Sequence, residues 1–85
     1  MRVGTQFNTS IPARATRRFF THSWPPAWHV AWNVVPTTPR SGGPQVEWEV
    51  EVERASASRV TYWLTIKNLT SSAANVDARY AILNS

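Results

Sequence analysis

The chain reads as one all-β domain over residues 1–85, a small antiparallel β-sandwich of Ig-like or jelly-roll-like character with five to seven strands. Three observations lead there. Apolar and polar residues alternate with period two along most of the chain. The alternating runs are short and are separated by the turn-forming stretches SIPA, WPP, VPTTPRSGGP and NLTSSAAN. No stretch carries a helical period with capping residues at its ends. Short strands at close spacing without helices between them stack as two sheets.

The first two strands, VGTQFN (3–8) and ATRRFFTHS (15–23), have the weaker patterns, and they offer Phe7 and either Phe19 or Phe20 to the core. In AWHVAWNVV (27–35), Trp28, Val30, Trp32 and Val34 form an apolar row with His29, Ala31 and Asn33 behind it. QVEWEVEVE (45–53) alternates most strictly, with Val46, Trp48, Val50 and Val52 on one face and Glu47, Glu49, Glu51 and Glu53 on the other. RVTYWLTIKN (59–68) turns Val60, Tyr62, Leu64 and Ile66 inward and Arg59, Thr61, Trp63, Thr65 and Lys67 outward. With RASAS as the connection, these two runs predict a hairpin over 46–53/59–67. Its expected core-face pairs are Val52–Val60, Val50–Tyr62, Trp48–Leu64 and Val46–Ile66. On the outer face, Glu53, Glu51, Glu49 and Glu47 are expected opposite Arg59, Thr61, Trp63 and Thr65. A slip by one residue would set glutamates against the core, so the faces are strongly specified. NVDARYAIL (75–83) closes the set with Val76, Ala78, Tyr80 and Ile82 inward.

The core predicted in this way includes Trp48, and Trp48→Ala is expected to cost about 3–5 kcal/mol, enough to unfold a marginal domain. Trp24, beside Pro25-Pro26, lies outside the alternating rows, and Trp63 stands on a polar face. These two rings are the ones expected at the surface.

Size and composition narrow the function. A chain of 85 residues buries only about 60% of its unfolded surface. There is no cysteine, which removes disulfides and thiolate metal sites. Residues 1–43 hold five arginines and no acid (+5), and residues 44–85 hold four basic and five acidic groups (−1), which together give the net +4. Such asymmetry suits either an anion-binding surface or Arg–Glu pairing across one fold. No apolar run is long enough for a membrane span or a secretory h-region, so the chain is expected in the cytoplasm unless it is excised from a longer secreted protein.

Enzyme chemistry has little to stand on. The glutamate row is a wet strand face, which does not raise a carboxyl pKa as general acid catalysis requires. His22 and His29 are the only histidines and Asp77 the only aspartate, too few for a zinc or calcium site, and no cofactor motif occurs. The triplets Asn8-Thr9-Ser10 and Asn68-Leu69-Thr70 match the glycosylation pattern at chance frequency.

The expectation is therefore a non-enzymatic binding or assembly module. It would be a homo-oligomer or bind another protein, with Arg17 or Arg18 of one copy meeting Glu49 or Glu51 of the next and Trp63 covered by the contact. A lectin-like alternative stacks a sugar on Trp63 beside Glu49, Glu47 and Thr65, or on Trp24 near His22. Nucleic-acid binding through the basic N-terminal half ranks third, because the glutamate row repels a phosphate backbone.

Overall fold

Six strands form where alternation is read: β1 (Arg2–Ile11), β2 (Thr16–Trp24), β3 (Val30–Pro36), β4 (Val46–Ser56), β5 (Arg59–Asn68) and β6 (Ala74–Ile82). The computed structural model describes all 85 residues. They make two antiparallel three-stranded sheets, ordered β1-β6-β3 and β2-β5-β4. The β4–β5 hairpin stays within one sheet, and every other connection crosses to the opposite sheet. This is a β-sandwich. No helix in it is long and apolar enough to cross a membrane.

The hairpin keeps the predicted faces but shifts register by two residues. Val52 lies opposite Tyr62, Val50 opposite Leu64, Trp48 opposite Ile66 and Val46 opposite Asn68. On the outer face Glu53, Glu51, Glu49 and Glu47 meet Thr61, Trp63, Thr65 and Lys67. The cause is the turn. Only Ala57 and Ser58 form it, so the strands extend through most of RASAS, and a bulge between Glu53 and Ser56 absorbs one residue. A two-residue slip preserves which side chains face the core, and alternation alone does not distinguish the two registers.

Two more bulges redirect side chains. In β1 the register shifts between Thr5 and Phe7, so Gln6 is extra and Phe7 turns inward onto Phe19, ring centroids 4.9 Å apart. In β2 the shift falls between Thr21 and Trp24, with Ser23 in the left-handed region (φ 68°). The bulge resets alternation, so Trp24 points inward beside the buried Thr21, whose hydroxyl accepts the indole N–H at 3.1 Å.

Trp24 is therefore core, not a surface ring. It is 8% exposed and lies 5.3–6.1 Å from Tyr80, Trp32, Trp28 and Tyr62, edge-on to each. Edge-to-face packing is the geometry aromatic quadrupoles favour. Gly4 makes room for the cluster, since a Cβ there would lie 2.6 Å from the Tyr80 hydroxyl. The aliphatic remainder (Ile11, Val34, Val60, Leu64, Ile66, Val76, Ala78 and Ile82) fills the space between the sheets. The choice between Phe19 and Phe20 resolves to Phe19, and Phe20 faces out.

At the far end Asn68, fully buried, ties the loops together. Its amide donates to the carbonyls of Ser72 (2.8 Å), Ile11 (3.0 Å) and, at longer range, Pro12 (3.3 Å). Its oxygen accepts from the Thr70 backbone N–H at 2.9 Å and hydroxyl at 2.8 Å. Every polar atom of the side chain is engaged, as a buried amide requires. The folded chain therefore offers no free Asn68 amide to a glycan, whatever the triplet suggests.

Part of the predicted core is not core. Trp48 and Val50 are each 37% exposed and Val52 66%, although all three share the face of Leu64 and Ile66. β4 is the outer strand of its sheet, and β3, the strand it meets across the sandwich, has 7 residues against its 11. Nothing in the facing sheet covers the rest of the row.

The roles of the two tryptophans are thus exchanged. Trp24→Ala should cost about 3–5 kcal/mol and leave the chain unfolded at room temperature, whereas Trp48→Ala should stay folded. Urea titration of both variants by tryptophan fluorescence tests this. Burial also pushes the Tyr62 hydroxyl above its ordinary pKa of 10.0. The folded chain then holds that proton more tightly than the unfolded chain. Stability from this group is complete below pH 10 and is lost as pH rises through the folded value. Tyr62→Phe should flatten the alkaline limb of a stability–pH profile.

Candidate functional site

The outer face of the β2-β5-β4 sheet is a set of cross-strand rows fixed by register: Phe20–Trp63–Glu51, Arg18–Thr65–Glu49 and Thr16–Lys67–Glu47. β2 supplies Phe20 and Arg18, β4 supplies the acids, and β5 between them supplies Trp63 and Lys67. Arg18 reaches diagonally to Glu51, Nη2 to Oε1 3.0 Å, and places its guanidinium carbon 4.4 Å from the centroid of the Trp63 ring. Phe20 packs against the same ring at 5.1 Å, and His22 follows Phe20 at 6.2 Å. The Trp63 indole N–H donates to Glu53 Oε1 at 2.9 Å.

Trp63 is therefore half-buried by its own sheet. Arg18, Phe20 and Glu53 supply the cover that had been expected from another chain. The pairing of Arg18 with Glu51 likewise occurs within one molecule. Both groups are more than half exposed, so the ion pair contributes only about 0–1 kcal/mol, and the cation–π contact adds a similar amount.

The remaining predicted residues divide into three places. Glu47, Glu49 and Thr65 do come together, and with Thr16, Trp48 and Lys67 they line a shallow depression of about 390 Å³. His22 is exposed at the bulge, its Nδ1 2.8 Å from the Ser23 hydroxyl. Arg17 sits opposite Ile66 on the other face of β2 and donates to the Thr16 carbonyl at 3.1 Å. Trp24 belongs to none of them, being core. Sequence reasoning missed Phe20 and Glu53 as partners of Trp63. The Phe19-Phe20 pair does carry a signal, because adjacent strand residues face opposite ways.

The second surface feature is the uncovered row Trp48, Val50 and Val52 on the inward side of β4. One strand thus presents glutamates on one side and an exposed apolar row on the other, with its outer backbone edge unpaired by any strand.

On the opposite sheet, Asp77 accepts from the Asn8 amide at 2.7 Å and from Arg79 at 3.3 Å. The Asn8 hydrogen bond, with a smaller contribution from Arg79, holds its carboxyl below the usual value of 3.8 against a partial desolvation that opposes it. The stabilisation is present above pH 3.8 and is lost as pH falls through the folded value. Asn8→Ala should therefore weaken the fold at neutral pH more than at strongly acidic pH, measured by urea midpoints. A double-mutant cycle of Arg18→Met and Glu51→Gln should return less than about 1 kcal/mol, vanishing at high salt. Among known proteins, no family model, curated protein or solved structure matches the chain.

Proposed function

We propose that the protein is a non-enzymatic assembly module that self-associates through β4. One observation carries the reading: Trp48, Val50 and Val52 face the core side yet are exposed, Val52 by 66%. Buried against a partner, such a row contributes on the order of 25 cal/mol per Å² of apolar surface removed from water. The partner best matched is a second copy, because the same chain carries complementary charge. Glu47, Glu49, Glu51 and Glu53 lie on the opposite face of the same strand, while the acid-free first half supplies Arg17 without an acidic partner. Two β4 strands side by side would set glutamates against glutamates, which is destabilising. A head-to-tail contact, β4 of one copy on the β2 side of the next, avoids that.

A sugar stacked on Trp63 would have to displace Arg18 from the ring, so the lectin-like reading is less well supported. The same preparation on a glycan array tests it.

Sedimentation of the purified chain should show association that weakens with salt. Val52→Asp should give a folded monomer, and Arg17→Glu should weaken association with little effect on stability. A wild-type chain that is monomeric at low salt and high concentration overturns the proposal.

A further inference from the structure

At the end of the sandwich away from the β4–β5 turn, three loops meet: the β1–β2 turn, the β3–β4 connection and the β5–β6 connection. Between them lies a cleft of about 250 Å³ lined by Arg14, Arg40, Gly42, Gly43, Thr70 and Ser71, together with Ser41, Pro44 and Gln45. No carboxylate lines it, and the Pro44 ring is its one apolar side chain. We propose that this cleft binds a tetrahedral oxyanion, the phosphate or sulfate group of a small polar ester.

Charge is the first ground. The molecule has two ion pairs, Arg18–Glu51 and Arg79–Asp77, so Arg14 and Arg40 have no acidic partner. Two unneutralised guanidinium groups at one cleft form a site for an anion, and guanidinium geometry suits phosphate-like oxygens.

Preorganisation is the second. Arg14 is held in the left-handed region (φ 61°) by its own N–H donating to the Thr70 carbonyl at 3.1 Å and its Nη1 to the Leu69 carbonyl at 2.6 Å. A non-glycine residue there costs of order 1 kcal/mol. Arg40 is anchored through Nη1 to the Ser72 hydroxyl. The Asn68 amide fixes the β5–β6 loop through Thr70 and Ser72. Both guanidinium groups are thus positioned by one nitrogen and keep their other donors free.

The third ground is the supply of small donors. The backbone N–H groups of Ser41, Gly42, Gly43 and Ser71 make no hydrogen bond to a backbone carbonyl. At Gly42 and Gly43 the space a Cβ would occupy is empty to 4 Å, so a ligand can approach the main chain there. A concavity whose residues carry unpaired backbone N–H groups, hydroxyls and guanidinium groups favours oxyanions. It is also wider than a bare ion needs, and its largely polar wall points to a hydrophilic carrier.

Amide chemical-shift titration of the full chain with inorganic phosphate and with inorganic sulfate tests the inference, with sodium chloride at matched ionic strength as the control. Saturable shifts are expected at Ser41, Gly42, Gly43, Thr70 and Ser71. Arg40→Ala, an exposed loop change, should weaken binding by about tenfold. Arg14→Asn, which tolerates the left-handed backbone, should do the same, and circular dichroism checks that both variants fold. Tighter binding of sulfate than of phosphate at mildly alkaline pH, where both ions are dianions, favours a sulfate ester; the reverse favours a phosphate ester. Shifts no larger than those in chloride, or equal affinity in the folded Arg40→Ala variant, overturn the proposal. Neither result bears on association through β4.

Discussion

The structure depends on getting one indole between two sheets. With no disulfide available and few residues to bury, the fold relies on large side chains, and Trp24 makes edge-on contacts with four other rings from β3, β5, β6 and the β2–β3 connection. Regular alternation would turn Trp24 to solvent. The extra residue in β2, with Ser23 in a left-handed conformation, turns it inward. One local backbone irregularity therefore decides where the core of this end is placed, and Gly4 opens the space that Tyr80 needs beside it. The other end is held by polar means, through the fully bonded Asn68. Apolar interlocking at one end and hydrogen bonding at the other hold a thin sandwich without a covalent link.

Much of this was legible in the residues. Strand alternation located all six strands, the sandwich class and the two faces of the hairpin, because period two is a direct consequence of strand geometry. It did not reveal the bulges. Each inserts one residue without an obvious composition signal, and the error it causes is large: Trp24 passes from candidate surface ring to centre of the core. The hairpin register slipped for a related reason. Faces are encoded by the pattern, but the pairing offset is set by a turn of two residues within a polar stretch that allowed a longer one.

Trp48, Val50 and Val52 expose a different limit. Alternation shows that a strand has an apolar side; whether anything covers that side depends on the length and position of strands elsewhere. β3 is too short to do it. The candidate surface on β4 could therefore be read only from the assembled molecule. The Trp63 surroundings were partly readable, since Arg18, Thr65 and Glu49 form one cross-strand row, but the capture of its ring by Arg18 required knowing that β2 lies beside β5.

The crossing connections have a kinetic consequence. Only the β4–β5 hairpin joins strands that are neighbours in both sequence and space; every other pair must wait for a loop to close between sheets. Chain entropy is spent before those contacts repay it, so the barrier to folding is dominated by topology, as in other non-local β architectures. The hairpin is also the element whose apolar row stays uncovered after folding. On refolding its contacts are the local ones, and the glutamates on its reverse side discourage edge-to-edge pairing between chains whose other strands are still unpaired.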